Sequence, residues 1–221
     1  MLFNSLQYAV FLPIVFALYW IVPHKQRWIV VLASSYFFYM SWNVKYLLLI
    51  IFITGVSFAG ALLIEGENNK KKKKIKLGIV VCVTLALLFI FKFIGFLGQI
   101  VVAILNMSSI PTSELVLNIL LPVGISFYTF QAIGYIVDVY RGDAKAEHHI
   151  GIYAAYISFF PQLIAGPIGR AKSLLPQIKN ERYFDYEQAT YGLKLMAWGF
   201  FKKIVIADTL AVYVDMVYDD I

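Results

Sequence analysis

The sequence contains little cysteine and little charge for its length. Cys82, the single cysteine among 221 residues, lies inside an apolar run, so no disulfide can form within the chain and the redox compartment stays open. Charged residues make up 14% of the chain, whereas a typical soluble domain has about 25%. Hydrophobic residues make up 61%, and the mean hydropathy is +0.75. This balance excludes an ordinary soluble domain and predicts a polytopic membrane protein.

Motifs for metal, phosphate and nucleic-acid binding are also missing. The histidines His24, His148 and His149 form no His-Glu-x-x-His pattern, and no cysteine cluster accompanies them, so we expect no metal site. There is no Gly-x-Ser-x-Gly elbow and no phosphate loop. The net charge of +6 comes without a nucleic-acid-binding module, so we expect no nucleic-acid partner. His148 and His149 stand beside Glu147 in what the sequence predicts to be a solvated loop.

Basic residues cluster in one stretch, Lys70–Lys74 followed by Lys76. We expect the surrounding segment, residues 65–76, to be a loop, and the positive-inside rule places it in the cytoplasm with the N-terminus outside. Two interpretations of the lysines stay open. They are a topology signal that also attracts anionic lipids, or they are a docking surface for an acidic partner such as an acyl-carrier protein or the phosphates of a nucleotide.

Apolar runs of membrane-spanning length fill most of the chain. The predicted fold is all-α, a polytopic transmembrane helical bundle with about six spans and one re-entrant segment, in a single domain over residues 1–221. The fourth span is longer than the bilayer needs, so we expect it to be tilted or to be broken near Gly95 and Gly98. A short polar loop over residues 107–114 is expected to follow it. The predicted spans are residues 6–22, 28–42, 44–64, 77–105, 115–140 and 189–214.

The expected re-entrant segment is residues 150–168. It is apolar, but Pro161, Gly166 and Pro167 interrupt it, and basic residues flank both of its ends. Positive flanks on both sides are typical of a segment that enters and leaves on the cytoplasmic side. Irregular backbone at membrane depth is tolerated only inside protein or beside a cavity.

Polar residues recur within the span that ends near residue 140. Gly124, Tyr128, Gln131, Tyr135 and Asp138 follow a 4, 3, 4, 3 spacing, which places them within an arc of roughly 80° on a helix. Burial of such groups in hydrocarbon is costly without partners or water, so this polar stripe should face protein or a cavity rather than lipid. The spacing fits a helix–helix interface as well as a lined cavity.

Three stretches of this region resemble one known family. They are Leu-Leu-Pro-Val-Gly-Ile-Ser-Phe-Tyr-Thr-Phe-Gln at residues 120–131, Tyr-Ile-Val-Asp-Val-Tyr-Arg-Gly at 135–142, and Ile-Ser-Phe-Phe-Pro-Gln-Leu-Ile-Ala-Gly-Pro-Ile at 157–168. Together they resemble the membrane-bound O-acyltransferases, and in particular the bacterial branch that acts on alginate and on teichoic acids. The resemblance extends over essentially all 221 residues.

The resemblance implies a multi-pass protein of the bacterial cell membrane that transfers an acyl group, acetyl in the alginate branch. The donor would be an intracellular thioester, acyl-CoA or an acyl-carrier protein, and the acceptor a hydroxyl of an exported polysaccharide or cell-wall polymer. It implies no bound cofactor, but an extracytoplasmic acyltransferase as a further partner. The family's catalytic histidine lies on a later helix, so we expect residues 1–221 to be an N-terminal half without a catalytic residue of its own.

The same resemblance implies a tunnel in which donor and acceptor meet, and a histidine acting as general base. The alternative is a non-catalytic scaffold or transport subunit of a polysaccharide export complex, because discontinuous segments with glycine and proline also build transporter sites. The predicted tunnel-lining residues are Tyr128, Gln131, Tyr135 and Asp138. The predicted residues of the cytoplasmic donor entrance are Pro161, Gln162, Gly166, Pro167 and Arg170.

Overall fold

The structure is a computed structural model that describes residues 3–107, 122–163, 166–167 and 169–219, with side chains described for all of these except residues 94–107. Every regular element within these ranges is helical, so the all-α prediction is confirmed. The α-helices are α1 (Leu6–Ile21), α2 (Arg27–Met40), α3 (Leu47–Glu65), α4 (Lys70–Met107), α5 (Ile125–Arg141), α6 (Ile150–Ile157), α7 (Phe160–Leu163), α8 (Ala171–Lys179), α9 (Tyr186–Phe200) and α10 (Asp208–Asp219).

The helices form two compact units. One comprises Lys25–Asn180, and the other comprises Met1–His24 together with Glu181–Ile221. The expectation of a single domain over the whole chain stays a prediction.

Two helical segments are apolar enough and long enough to cross a bilayer. Val44–Glu65 spans 22 residues and Lys70–Phe93 spans 24 residues, whereas about 20 residues suffice to cross the hydrocarbon core. Leu6–Ile21 is apolar but shorter. These segments confirm the expectation of a helical membrane protein, whereas the number of spans stays a prediction.

The lysine-rich stretch is helical, so the prediction of a loop over residues 65–76 is wrong for most of its length. Glu65 is the last residue of α3, and α4 already begins at Lys70. Asn69 starts the helix, because its Oδ1 accepts hydrogen bonds from the amides of Lys71 (3.0 Å) and Lys72 (3.3 Å). Lysine is a good helix former, and this cap outweighs the mutual repulsion of the ammonium groups.

Helix α4 continues through both of its glycines. It includes Gly95 and Gly98 without a break over 38 residues, which corresponds to a length of about 57 Å. Of the two alternatives, a tilted helix or a helix broken near these glycines, the break is therefore absent. Most of the predicted loop at 107–114, the start of the fifth span up to residue 121, and Ile168 lie outside the described residues.

Helices α3 and α5 run parallel in the core of the Lys25–Asn180 unit. Near their N-terminal ends the Tyr39 hydroxyl, at the end of α2, donates a hydrogen bond to the Val123 carbonyl (3.1 Å). Beyond their C-terminal ends the Ala146 amide donates to Glu65 Oε1 (2.8 Å). Both α4 and α5 pack against α3, so the chain returns along α4 before α5 repeats the direction of α3.

Helix α5 is bounded by two glycines in the left-handed region. Gly124 precedes the helix with φ of 79°, and Gly142 follows it with φ of 85°. At the C-terminal end the Asp143 amide donates to the Asp138 carbonyl (2.9 Å). Residues without a Cβ adopt this conformation at little cost, so the two glycines set where the helix starts and stops.

The segment expected to be re-entrant contains two short helices, α6 with eight residues and α7 with four. The break between them falls at Ser158 and Phe159, ahead of Pro161, which lies in the first turn of α7 where proline is tolerated. The Phe160 amide there donates to Ser35 Oγ of α2 (3.2 Å). Neither helix alone is long enough to cross a bilayer.

Helices α9 and α10 are joined by a π-helix, Phe201–Ala207. The predicted helical run over residues 189–214 is therefore confirmed, with the π-helix at its charged interruption. The wider π turn brings Lys203 and Asp208, five residues apart, into an ion pair.

Candidate functional site

The polar stripe of α5 faces the interior of its unit. Tyr128, Gln131 and Tyr135 have exposed fractions of 5% or less, and Asp138 is half-buried. Phe130, on another face, is 50% exposed. The expectation that the stripe faces protein or a cavity rather than lipid is thus met by this burial, and its role as a tunnel lining stays a prediction.

Gln131 contacts the end of a neighbouring helix. Its Nε2 donates a hydrogen bond to the Tyr156 carbonyl at 3.0 Å. Helix α6 ends at Ile157, and the carbonyls of a last helical turn have no partner within the helix. The Gln131 amide therefore satisfies one of these carbonyls and joins α5 to α6.

A cluster of buried tyrosines surrounds this contact. The ring centroids of Tyr135 and Tyr153 are 4.7 Å apart, and those of Tyr153 and Tyr156 are 6.0 Å apart. The Tyr153 hydroxyl and Ser57 Oγ of α3 are hydrogen-bonded at 2.8 Å, and the Tyr135 hydroxyl accepts a hydrogen bond from the Glu147 amide at 2.8 Å. Each buried hydroxyl thus connects α5 or α6 to a different segment.

Three further buried hydroxyls lack such partners. Those of Thr54 on α3 and Thr129 on α5 make no hydrogen bond within the described part of the chain, and the Tyr128 hydroxyl has only the Tyr39 hydroxyl beside it. A buried polar group without a partner is costly and calls for a water molecule or ligand. These hydroxyls are the feature of the interior that packing alone leaves unexplained.

The predicted donor-entrance residues lie in α7 and between α7 and α8. Pro161, Pro167 and Arg170 are exposed, whereas Gln162 and Gly166 are half-buried. The Gly166 amide donates to the Gln162 carbonyl (3.1 Å), and a Cβ on Gly166 would lie 2.6 Å from Gln162 Cα. Gly166 is therefore required by the close approach of two backbones. Arg170 directly precedes α8.

Tyr156 joins the two predicted sets of residues, although sequence reasoning did not single it out. Its carbonyl accepts from Gln131 Nε2, and its hydroxyl donates to the Gly169 carbonyl in the turn before Arg170 (3.0 Å). Gln162 lies against the same glycine, since a Cβ on Gly169 would be 2.5 Å from Gln162 Oε1. The α5 stripe and the turn are therefore brought together through one buried tyrosine.

The prediction of a solvated loop is confirmed for His148 and His149, which are exposed, but the neighbouring Glu147 is buried. Only 6% of Glu147 is exposed. Its Oε1 accepts from the amides of His148 (3.1 Å) and His149 (3.0 Å), and its carboxylate pairs with Lys179 of α8 at 3.1 Å. The N-cap of α6 is His149, whose Nδ1 accepts a hydrogen bond from the Ile152 amide (3.2 Å). An acidic residue just ahead of a helix interacts favourably with its positive N-terminal end, and that signal could have indicated the role of Glu147.

Three comparisons with known proteins bear on this arrangement. The chain is 37% identical over 210 residues to the probable alginate O-acetylase of Pseudomonas aeruginosa, covering 93% of this chain and 39% of that protein. It is 36% identical over 206 residues to the probable alginate O-acetylase of Azotobacter vinelandii, covering 93% and 41%. It is 32% identical over 254 aligned positions to the peptidoglycan O-acetyltransferase of Helicobacter pylori, covering 99% and 47%.

These relatives confirm the resemblance inferred from the three motif stretches. The chain spans 39% to 47% of the length of these curated relatives. No family model matches the chain, and no solved structure matches it.

Proposed function

Because this chain is a relative of bacterial O-acetyltransferases, we propose that it forms part of a membrane O-acyltransferase acting on an exported polysaccharide or cell-wall polymer. The observation that supports this most is the similarity over 93% of the chain to proteins named for O-acetylation of alginate. A hydroxyl oxygen of the polymer attacks the carbonyl of a thioester, acyl-CoA or an acyl-carrier protein. An ester C–O bond forms, the C–S bond breaks, and the thiol leaves with the proton of the hydroxyl.

The polar interior of the Lys25–Asn180 unit is where we place the substrate path. The stripe of Tyr128, Gln131, Tyr135 and Asp138 lines it, and the unsatisfied buried hydroxyls support this because a path for water or substrate would supply their hydrogen bonds. The donor entrance adjoins the same interior, because Gly169, directly before Arg170, accepts a hydrogen bond from the Tyr156 hydroxyl. Contacts made away from the reacting atoms can hold the acyl donor and the acceptor hydroxyl in the geometry that the reaction needs.

We further propose a multi-pass location in the bacterial cell membrane, with about six spans and with the lysine-bearing start of α4 in the cytoplasm. Cysteines introduced singly at positions 72, 145 and 173 in a background with Cys82 replaced test this in intact cells. All three should resist a membrane-impermeant thiol reagent. Labelling at 72 from outside contradicts the topology. Labelling at only one of 145 and 173 makes the intervening segment a true span.

The function itself is tested by deleting the gene that carries this chain and measuring alkali-released acetate from isolated exopolysaccharide and peptidoglycan. One polymer should lose its acetyl esters and regain them on complementation. Purified full gene product in proteoliposomes should then release thiol from an acyl thioester only when polymer is present. Unchanged esters in the deletion contradict the proposal, and loss of esters without thiol release in vitro indicates a scaffold.

The tunnel residues are tested in the same complete gene with Gln131→Leu and Asp138→Asn. The matched control is Phe130→Leu, on the exposed face of α5. Loss of one interhelical hydrogen bond costs on the order of 1 kcal/mol in a membrane protein, so abundance should hold. Polymer acetylation should fall at least about tenfold in the two variants and not in the control. Normal acetylation at normal abundance would make the stripe a packing feature only.

A further inference from the structure

The lysines at the start of α4, most of them exposed, form the most strongly charged patch of the described chain. This patch, here the lysine row, consists of Lys70–Lys74 and Lys76, and the relatives' reaction does not account for it. Lys76 pairs with Glu67 at 2.8 Å, and Lys73 lies over the Tyr140 ring at 5.7 Å. The four others form no ion pair with any described residue, namely Lys70, Lys71, Lys72 and Lys74.

The lysine row destabilises the helix that contains it. Cations are unfavourable at a helix N-terminus, where the helix dipole is positive, and α4 has no acidic residue in its first turn. Lys70 and Lys74 are four residues apart, as are Lys72 and Lys76, and like charges at this spacing destabilise a helix. Apart from the Asn69 cap, Glu67 is the one described acidic residue that pairs with the row, so any further neutralisation of the lysines would stabilise the first two turns.

The lysine row also lies at the border of the apolar part of α4. Large exposed apolar side chains begin within it at Ile75, which is 61% exposed, and continue with Ile79 at 58% and Val83 at 40%. The helix from Lys70 to Phe93 has the length and composition of a membrane span, and only 17% of its apolar window is buried inside the protein. When these apolar residues contact acyl chains, the ammonium groups reach the level of the lipid headgroups.

The lysine row encircles the helix instead of forming a one-sided stripe. Five consecutive residues at about 100° per residue point in directions all around the axis. The side of Lys73 and Lys76 is held by contacts to Tyr140 and Glu67. Lys71 and Lys74 lie on the opposite side of the helix, and Lys70 and Lys72 lie between the two sides, so several lipid phosphates can approach at once. A folded acidic partner would reach only one side of such a ring.

We propose that the lysine row binds the phosphate groups of anionic lipids, and that this binding stabilises the first two turns of α4. The ligand is a lipid headgroup carrying a net negative charge, such as phosphatidylglycerol. Binding neutralises the repulsion within the row and with the helix dipole, so lipid and helix stabilise each other. The inference is independent of the acyl-transfer proposal, because neither turnover nor acceptor enters it.

Hydrogen–deuterium exchange of the backbone amides of residues 72–76 tests the proposal. The purified full gene product is placed in vesicles of phosphatidylcholine alone and in vesicles in which phosphatidylglycerol replaces part of it. Exchange at 72–76 should be at least about tenfold slower with phosphatidylglycerol, the scale expected when several lysines each gain an anionic neighbour. High salt should remove most of the difference, because it screens exposed charges.

Two variants make the test specific. With all five of Lys70–Lys74 changed to Gln, exchange should no longer depend on phosphatidylglycerol, and in phosphatidylcholine it should be slower than in the unaltered protein because the repulsion is gone. The control changes an equal number of exposed lysines elsewhere and should retain the full lipid dependence. These control positions are Lys25, Lys45, Lys145, Lys172 and Lys194.

Three results would overturn the proposal. The first is equal exchange in both kinds of vesicle. The second is equal protection by inorganic phosphate in phosphatidylcholine vesicles, which would make the row a site for free anions. The third is a lipid dependence that persists in the five-glutamine variant, which would locate the lipid effect elsewhere in the protein.

Discussion

Helices α5 and α9 are similar in composition but differ in burial. Both mix aromatic, apolar and polar residues over 17 and 15 residues. In α5 eight residues are buried, including Gln131 and two tyrosines, whereas no residue of α9 is buried. Gln131 and Tyr135 of α5 form hydrogen bonds with segments elsewhere in the chain, while the Thr190 hydroxyl of α9 bonds to its own helix, at the Tyr186 carbonyl (2.7 Å). A polar residue within an apolar helix thus gains a structural role only where another element brings it a partner.

The packed region around α5 and α6 and the exposed region around α9 should differ most in how a glycine substitution changes the stability. Gly151 of α6 is buried, and a Cβ there would overlap the Trp28 indole, so Gly151→Ala should lower the free energy of unfolding by about 1–3 kcal/mol. Gly192 of α9 has nothing within 4 Å of such a Cβ, so Gly192→Ala should raise it by up to about 1 kcal/mol. Unfolding in detergent micelles measures both. The same sign for both would mean that the α9 region is packed as tightly as α6.

The acidic residues ahead of α6 and α9 should differ as well. Glu147→Ala removes two hydrogen bonds to a carboxylate and a part-buried pair with Lys179, and we expect a loss of about 2–3 kcal/mol. Asp185 caps α9 through the exposed Gln188 amide at 3.1 Å, and Asp185→Ala should cost about 1 kcal/mol. Lys179→Gln separates the ion pair from the hydrogen bonds to the two amides. Equal costs of the two alanine substitutions would contradict the importance we assign to burial.

Tyrosine hydroxyls offer a finer comparison. Tyr153 is fully buried and its hydroxyl is paired with Ser57, so Tyr153→Phe should destabilise the protein by about 1 kcal/mol. Tyr191 of α9 is 64% exposed, and Tyr191→Phe should change the stability by less than about 0.5 kcal/mol. Tm in detergent checks both. A larger effect at Tyr191 would show that its hydroxyl has a partner outside the described chain.

The smallest effect belongs to a partly exposed charge pair outside both regions. The hydrogen bond from Lys76, followed by that from the Asn69 amide, holds the pKa of Glu67 below its usual value of 4.5. A lowered pKa in the folded state means that the pair stabilises the protein above the pKa of the unfolded chain, and that this is lost as the pH falls through the folded value. Stability measured against pH should therefore fall slightly more below pH 4.5 in the unaltered protein than in Glu67→Gln. Identical pH profiles would show that the pair contributes nothing.

Features that depend on periodicity or composition were predicted well from the sequence. The α5 stripe was placed on a helix, and on its inward side, from the spacing of Tyr128, Gln131 and Tyr135. The π-helix and the helical lysine row were missed. Repulsion among consecutive lysines favours a loop. Here the Asn69 side chain caps the Lys71 amide, two residues further on, and a helix starts.

The candidate site was predicted only in part. Gln131 and Gly166 were singled out because polar or flexible residues stand out in apolar runs. Tyr156 and Glu147 were missed, because an aromatic residue in an apolar helix and an acidic residue beside histidines look ordinary. Their importance lies in partners such as Gln131, 25 residues from Tyr156, and Lys179, 32 residues from Glu147.

By itself the sequence determined that the protein is a helical membrane protein and which proteins it is related to. Hydrophobicity, helical periodicity and sequence motifs are all properties of residues close together in the chain. Only the tertiary structure decided which polar groups are buried together. The Tyr39 hydroxyl bonds Val123 across 84 positions, and the Phe160 amide bonds Ser35 across 125. A hydrogen bond requires two atoms within about 3 Å, and which distant atoms meet at that distance depends on how whole helices pack.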